Sequence, residues 1–436
     1  MNGKKAKRET PREDSGRIKG TRGSFKKKVP VLYALAAIFL TILFFSNDFG
    51  LVDIQKTAIV LAVGIDREED SFVVTSQIAV PSASADPKAS AEAVQVETRG
   101  DTVGAAIQKI NEKTGWYPKL VFCNLIILGK TATEKNAFDS LDFFLRNEYM
   151  SDDCNLCCTE GSAGELLSGS SAVEQISSLA IGKILSEHSA KLGLVAASNL
   201  RDFATHYFSC CGCGYMPIVS QRPLTEKDDK EQADGQKKQS GSGKKQGDEG
   251  QGEGAAGGSE EEPASAKERT FTATDTALFS DGIYKGKLTA EETFAFQCIR
   301  NDLRLAAFDA EHGGVTYTLL IKKSKASVKF SVDDYAVPRL EIFVTVKAGL
   351  QDLSSSQTIA EIAVPDKTKE AVLKAAGEKF AKAVRSAFEK SRALNCDIFD
   401  VKNRLQKYES AYFSAYKDSV LERLLFSAEA KFEPTR

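Results

Sequence analysis

One apolar segment near the start of the chain constrains where most of it can fold. Residues 29–45 (VPVLYALAAIFLTILFF) are seventeen consecutive uncharged positions. They make roughly 25 Å of helix, at the short end of what crosses a bilayer. Residues 1–28 before them hold eleven basic and three acidic residues. Because positive flanks stay in the cytoplasm, we predict a basic cytoplasmic tail at 1–28, a transmembrane anchor at 29–46 and an extracytoplasmic remainder.

The apolar segment has two alternative interpretations, a cleavable signal peptide and a lipoprotein signal. A cleavable signal peptide has the same order of charge and apolar residues, but it needs small residues at its cleavage site. The exit, from Phe44 to Phe49, offers no Ala-x-Ala pattern. A lipoprotein signal needs a cysteine directly after the apolar run, and the first cysteine is Cys123. An uncleaved anchor is therefore favoured, and cleavage stays open as the alternative.

Length and charge bound the part beyond the anchor. It is most of the 436 residues, enough for two or three domains with hydrophobic cores. The net charge of the whole chain is −2, so the remainder is acidic once the basic tail is set apart. An acidic body without a basic, aromatic-rich patch is a poor nucleic-acid binder, and we predict no nucleic-acid partner. The basic tail is suited to anionic lipid headgroups.

The hydrophobic patterns predict an α+β fold with mixed or antiparallel sheets and packed helices. Helices and strands alternate without the regular βαβ order of a doubly wound sheet. Strands are predicted at 56–66, 71–80, 94–98, 120–128, 154–159, 271–279, 282–288, 315–321, 326–333, 340–350 and 421–432. Helices are predicted from Asp101 to Gly115, at 137–146, from 162, through most of 171–208, at 366–392 and from 395.

A segment without core-forming residues interrupts this pattern. Residues 226–269 contain no Val, Ile, Leu, Met, Phe, Tyr or Trp, so they cannot offset the entropy of ordering and are predicted to be disordered. We accordingly predict an N-terminal α+β domain at 47–200, a small middle domain at 201–310 that contains a disordered insert at 225–269, and a C-terminal α+β domain at 311–436.

Nine cysteines leave three interpretations open. Six of them form two groups, which are Cys154, Cys157 and Cys158, and Cys210, Cys211 and Cys213. An exported domain can hold disulfides, and the C-x-x-C spacing of the first group is used by zinc sites. Cys154, Leu156 and Cys158 also alternate as core residues of a strand do. A core or disulfide role is favoured over a metal site.

No catalytic constellation is present in the sequence. It has no G-x-S-x-G elbow, no phosphate loop and no H-E-x-x-H motif. His188 and His206 have no obvious partner. The pair Glu291 and Glu292 is typical of a helix N-terminus, here capped by Thr289. We predict that the chain is not an enzyme, and that it has no catalytic, cofactor-binding or metal-binding residues and no cofactor.

Seven short motifs follow one another along the chain. They are KTAIVLAVGID (56–66), FVVTSQIAVPSA (72–83), GDTVGAAIQKI (100–110), LVFCNLIILGK (120–130), LDFFLRNEYM (141–150), TALFSDGIYKGKLTAEET (276–293) and CDIFDVKNRL (396–405). In this order they resemble the Ger(x)C family, the C subunits of bacterial spore nutrient receptors. Together they mark a fold rather than a chemistry.

The resemblance implies a non-catalytic subunit of a germinant receptor, with a three-domain α+β ectodomain on the outer face of the spore inner membrane. It implies membrane-embedded A and B subunits as partners in nutrient-triggered germination. The chain departs from the family's lipoprotein pattern, because Phe44 to Asp48 stand where the acylated cysteine is expected. The alternative is an extracytoplasmic structural or thiol- or metal-binding envelope protein. The strand around Ile59 to Val63 and the end near Asp397 are equally open as partner surfaces.

Overall fold

The chain divides into a short N-terminal unit, Met1–Gln55, and a large unit, Lys56–Arg436. The computed structural model describes residues 33–42, 57–80, 92–223, 269–300, 303–354 and 364–435. In the short unit, residues 33–42 form an exposed helix, α1. The rest of the predicted anchor, like most of the predicted disordered insert at 225–269, lies outside the described residues. None of the described helices is both long and apolar enough to cross a bilayer.

The first of two sheets in the large unit has ten strands and mixes parallel and antiparallel pairs. Its main path runs β10-β9-β8-β6-β5-β1-β2-β3, with β4 beside β1 and β7 beside β6. The strands are β1 (Thr57–Glu68), β2 (Ser71–Val80), β3 (Glu92–Gly100), β4 (Tyr117–Lys119), β5 (Leu125–Leu128), β6 (Asn155–Cys158), β7 (Ser198–Asn199), β8 (Cys213–Pro223), β9 (Arg269–Ser280) and β10 (Ile283–Leu288). Strand β1 is therefore central, with β2 antiparallel on one side and β5 parallel on the other.

Local turn chemistry explains the two predicted hairpins, which are confirmed. Strands β1 and β2 pair across Glu69 and Asp70. Strands β9 and β10 pair across Asp281 and Gly282, whose φ angles are 51° and 76°. Two successive positive φ values match the type I′ turn that joins twisted antiparallel strands, and Asp-Gly is a preferred dipeptide there.

Eight helices accompany the first sheet among the described residues. They are α2 (Val103–Thr114), α3 (Lys130–Thr133), α4 (Ala137–Arg146), α5 (Ala163–Ser168), α6 (Ser177–Ile184), α7 (Glu187–Lys191), α8 (Leu200–Phe208) and α9 (Ala290–Arg300). Helix α4 has the predicted bounds, and α2 ends at Gly115 as predicted. The predicted cap of α2 is wrong, because Thr102 rather than Asp101 accepts the N–H of Ala105.

The segment 171–208 is mainly helical, as predicted, and is divided into α6, α7 and α8. Ser186 starts a new helix, and Gly193, at φ 74°, turns the chain away.

One predicted strand of this half is shorter in the structure. The run 120–128 is a strand only from Leu125. The residues before it form a turn in which Val121 and Phe122 are 51% and 60% exposed. Apolar composition alone did not distinguish this turn from a strand.

The second sheet has four strands in the order β11-β12-β13-β14. They are β11 (Ala306–His312), β12 (Val315–Val332), β13 (Pro338–Leu353) and β14 (Leu425–Pro434). Only the β13–β14 pair is parallel. The predicted break between strands 315–321 and 326–333 is wrong. The polar residues there form a bulge between Ile321 and Lys323, and the strand continues through it.

The helices of the second half follow the sheet in the chain. They are α10 (Asp366–Ala393), α11 (Val401–Tyr408), α12 (Ser410–Tyr416) and α13 (Val420–Arg423). Helix α10 packs on β14 and β11 through buried residues spaced three or four apart, among them Val372, Phe380 and Phe388. The helix predicted from 395 starts at Val401, and the strand predicted from 421 starts at Leu425, because α13 precedes it.

The hydrophobic core of the second sheet continues into the first. Its cluster includes Phe380 and Phe399 from the second half together with Cys213, Tyr215 and Leu278 from β8 and β9. Strands β8, β9 and β10 come from the predicted middle domain and belong to the first sheet. The predicted combination of mixed sheets and packed helices is confirmed, and the three-domain division stays a prediction.

Candidate functional site

A tight loop after α10 joins the two halves of the large unit. Residues 395–400, here called the Asp397 loop, lie against the paired ends of β8 and β9. Ser280 Oγ donates to the Asn395 carbonyl at 3.1 Å, and the Asp397 N–H donates to Cys213 Sγ at 3.0 Å. Asn395 and Asp400 have φ angles of 49° and 57°, a region that Asn and Asp tolerate better than other side chains. The loop can therefore reverse sharply within six residues.

The carboxylate of Asp397 is the centre of this loop. It is 2% exposed. Its Oδ1 accepts the N–H of Val401 at 2.9 Å, and its Oδ2 accepts the N–H of Lys402 at 2.8 Å and faces Cys211 Sγ at 3.3 Å. Burial raises the pKa of Asp397, although the two backbone N–H bonds oppose that rise. The side chain satisfies the first N–H groups of α11, as an N-cap does.

A charged groove borders the Asp397 loop. Its cavity is about 370 Å³ and is lined by Thr205, His206, Ser209, Asp400, Asn403, Arg404, Lys407 and Tyr408. A second cavity of about 260 Å³ shares Asp400 and Arg404 with it and adds Arg300. The groove is built from α8 on one side and α11 on the other, so both halves of the large unit contribute to it.

Partial burial determines the protonation state of His206 in the groove. The His206 side chain is 19% exposed, and its Nδ1 lies 3.8 Å from Asp400 Oδ1. Burial, and then the nearby Arg300, lower the pKa of His206, while Asp400 acts against them. The imidazole is thus neutral near pH 7, and its contact with Asp400 is not an ion pair. Arg300 stacks over Tyr215 at 5.0 Å. Such a surface is suited to contacts with charged groups.

A second aspartate holds a helix N-terminus in the first half. Asp66, at the end of the first family-like motif, accepts Ser162 Oγ at 2.8 Å and the N–H of Gly164 at 3.1 Å through Oδ2. Its Oδ1 accepts the N–H of Ala163 at 3.1 Å. A Cβ on Gly129 would lie only 1.7 Å from that Oδ1. Asp66 and Gly129 therefore come from two different motifs and form one packed unit at the start of α5.

The acidic pair Glu291 and Glu292 lies at the start of α9, and hydrogen bonds hold the Glu292 carboxylate within the fold. Glu292 Oε2 accepts the Thr289 N–H at 2.8 Å and Lys390 Nζ at 2.5 Å, and Oε1 accepts Ser386 Oγ at 2.7 Å. Burial alone would raise the pKa of Glu292, but these hydrogen bonds outweigh it and the pKa is lowered. Thr289 Oγ1 in turn accepts the Glu292 N–H, which confirms the predicted cap. The result is a link between α9 and α10.

All nine cysteines lie among the described residues, where they are not disulfide-bonded in this structure, and eight of them are buried. Cys154, Leu156 and Cys158 lie in one core cluster and Cys157 in the cluster on the opposite face, as the predicted alternation requires. The thiols contact backbone groups, as Cys123 Sγ does at 3.6 Å from the Leu125 carbonyl oxygen and Cys158 Sγ at 3.8 Å from that of Pro217. Within the part of the chain that the structure describes, no three His, Cys, Asp or Glu residues are arranged to hold a metal ion.

The two open surfaces named from the sequence differ in the structure. Residues 59–63 lie in the central strand β1, where Val60, Ala62 and Val63 are fully buried. The end near Asp397 borders the charged groove. Arg300 and Arg404, by contrast, carried no signal in the sequence, because they lie far apart in the chain and meet only through the fold. His188 lies exposed in α7.

Comparison with known proteins identifies the family. The model of the spore germination protein N-terminal domain matches residues 51–221, and the model of the spore germination B3/GerAC-like C-terminal domain matches residues 274–432. The chain belongs to the Ger(x)C family. The resemblance in the sequence motifs is thereby confirmed, and it connects this Ger(x)C protein with spore germination.

Two further comparisons add little to this assignment. The crystal structure of the GerBC protein is similar to this chain with a TM-score of 0.46 and 14% identity, over 88% of this chain and 100% of that one. No curated protein matches the chain.

Proposed function

We propose that this chain is the non-catalytic C subunit of a spore germinant receptor and acts with membrane-embedded A and B subunits in nutrient-triggered germination. The observation that carries the proposal is the match of both family models, in order, to residues 51–221 and 274–432. In this role the chain is a binding and assembly part, which relays a change between partners rather than catalysing a reaction.

The contacts of the Asp397 loop support a role in which the two matched domains move together as one rigid body. Cys211 and Cys213 lie in the first matched region, and Asp397 lies in the second. Their hydrogen bonds are buried, where an unsatisfied partner costs free energy. A displacement of one matched domain by a partner subunit would therefore be passed to the other.

The charged groove is the surface proposed to meet a partner subunit. It exposes the cationic Lys407 and Arg404 beside the anionic Asp400. Complementary charges on a partner would fix the register of the contact and increase the rate of association. The groove also lies next to the Asp397 loop, so a partner bound there would contact both matched domains.

The proposed location is the spore inner membrane, with a single-pass anchor at 29–46 and the C-terminal domains outside. The eleven basic residues before the apolar run at 29–45 support this orientation, because positive flanks stay in the cytoplasm.

Affinity purification of the tagged full-length chain from detergent-solubilised spore membranes, with mass spectrometry of what is recovered, tests the proposal. Two multi-span partners, one of them transporter-like, are expected. Lys407→Glu in the groove should lower their recovery several-fold. Arg146→Glu, at a residue 78% exposed on α4, is the matched control and should leave recovery unchanged. Recovery of the chain alone would overturn the proposal.

A further inference from the structure

The thiols of Cys213 and Cys396 meet where the two matched domains join. Cys213 begins β8, and Cys396 lies in the Asp397 loop. They are 2% and 0% exposed, and each sulfur contacts the backbone of the residue next to the other cysteine. Cys213 Sγ accepts the N–H of Asp397 at 3.0 Å, and Cys396 Sγ lies 3.9 Å from the carbonyl oxygen of Gly214. Two thiols 183 positions apart in the chain are thus brought together inside the protein.

Hydrogen bonds of the surrounding backbone fix both sulfur atoms. Cys213 Sγ accepts the Asp397 N–H at 3.0 Å and lies 2.9 Å from the Cys211 carbonyl oxygen. Cys396 Sγ lies 3.0 Å from the Phe279 carbonyl oxygen. A disulfide needs its two sulfurs to approach to about 2.05 Å, and thiols are weak hydrogen-bond donors, so giving up their bonds costs little.

We propose that Cys213 and Cys396 form a disulfide that covalently joins the N-terminal and C-terminal family domains. This inference rests on the proposed function for its location, because disulfides form and persist outside the cytoplasm. It assigns a pairing that the cysteine spacing in the sequence left undetermined.

The oxidant is an extracytoplasmic thiol oxidoreductase that carries an oxidising disulfide. The Cys213 thiolate attacks one sulfur of that disulfide, which forms a mixed disulfide and releases one oxidoreductase thiolate. The Cys396 thiolate then attacks the Cys213 sulfur, which forms the Cys213–Cys396 bond and releases the second thiolate. The two protons lost by this chain end on the oxidoreductase, which leaves as a dithiol. Because both cysteines are buried in the folded protein, the exchange takes place before the Asp397 loop closes over β8.

Cleavage between the two domains tests the cross-link directly. A specific protease site is placed within residues 224–268 of the full-length chain, and free thiols are alkylated before the spore membranes are solubilised. After cleavage, the two fragments should migrate together on a non-reducing gel and separate when a reductant is added. Mass spectrometry should also find the Cys213 and Cys396 peptides joined in the unmutated chain, which makes the test independent of any variant's folding.

Matched variants decide which cysteines are responsible. Cys213→Ser and Cys396→Ser should each separate the fragments without reductant, whereas Cys298→Ser, at the other cysteine of the second fragment, should leave them joined. A bond between Cys123 and Cys154 would lie within one fragment and cannot mimic this result. Separation of the unmutated fragments without reductant would overturn the inference. If the A and B subunits are recovered in that sample, the proposed function stands without the disulfide.

Discussion

Asp66 and Asp397 both accept N–H groups at a helix N-terminus, but they differ in burial and in the domains they contact. Each accepts two backbone N–H groups at the start of a helix and faces one side-chain donor, Ser162 for Asp66 and Cys211 for Asp397. Asp66 is half-buried and lies within the first matched domain. Asp397 is almost fully buried and lies in the second matched domain, where it contacts Cys211 of the first.

The difference teaches what each aspartate controls. Water can replace a lost acceptor beside the half-buried Asp66, so its removal should be felt mainly by α5. Water cannot easily do so beside Asp397, where unsatisfied donors stay inside the core. We infer that Asp66 is a local helix cap and that Asp397 determines how the two halves are held together.

Removing the Asp397 carboxylate should have the largest effect. Asp397→Ala leaves the N–H groups of Val401 and Lys402 without their acceptor, and we expect a loss of about 3 kcal/mol in the free energy of unfolding. Denaturant unfolding of the purified protein measures it. The control, Asp400→Asn, keeps a residue tolerant of positive φ in the same loop and should change stability by less than about 0.5 kcal/mol. A smaller loss at Asp397 than at Asp66 would break the comparison.

The packing around Asp66 should come next in effect. In Gly129→Ala, the new Cβ would lie 1.7 Å from Asp66 Oδ1, so the carboxylate must leave its position against α5. We expect a loss of about 2 kcal/mol, measured as a shift in the denaturation midpoint. Gly161→Ala is the matched control, because nothing lies within 4 Å of its added Cβ. Equal effects of the two substitutions would show that Asp66 is not held as tightly as described.

The effect of removing Asp66 itself should be smaller. Asp66→Ala should cost about 1 kcal/mol, the usual cost of a lost helix cap. In the double variant Asp66→Ala/Gly129→Ala the clash with the carboxylate is absent, and only the contact of the new Cβ with the Ala163 backbone N at 3.0 Å remains. The combined loss should therefore be less than the sum of the two single losses. A thermodynamic cycle of the four proteins measures this coupling. Additive losses would mean that the two residues do not act on each other.

Sequence patterns predicted best those elements whose bounds depend on residues close to one another in the chain. The hairpin at Asp281 and Gly282, the helix from Ala137 to Arg146 and the stop at Gly115 follow from local chemistry and are confirmed. The strand from Val315 to Val332 was divided wrongly, because pairing with β13 holds its polar middle in the sheet. The turn before Leu125 interrupts the pairing with β1, which β4 and β5 make on either side of it, and an apolar run gives no sign of such an interruption.

Asp66 and Asp397 show how far the sequence can predict the candidate site. Asp66 and Asp397 stand in motifs that the sequence made visible, but their partners Ser162 and Cys211 are 96 and 186 positions away. Spacing along the chain carries no information about such contacts. The family resemblance identified these positions as part of a shared fold, and only the fold shows which helix each carboxylate holds.

The pH dependence of stability should differ between Asp397, where burial dominates the pKa, and Glu292, where hydrogen bonds dominate it. These changes in unfolding free energy should be the smallest of those predicted here. The pKa of Asp397 is raised above its ordinary value of 3.8, so the folded state binds more protons than the unfolded state between those two pKa values. The stability that Asp397 contributes therefore falls as pH rises through that window and is constant above it.

Glu292 should behave in the opposite way. The pKa of Glu292 is lowered below 4.5, so its contribution to stability rises with pH up to 4.5 and is lost as pH falls through the folded-state pKa. Unfolding free energies of the unmutated chain, Asp397→Asn and Glu292→Gln, measured from below pH 3.8 to neutral, should give difference curves of opposite slope. Parallel curves would mean that hydrogen bonds, rather than burial, dominate the pKa of Asp397, as they do at Glu292. Asp397 and Asp66 would then differ less than their exposed fractions indicate.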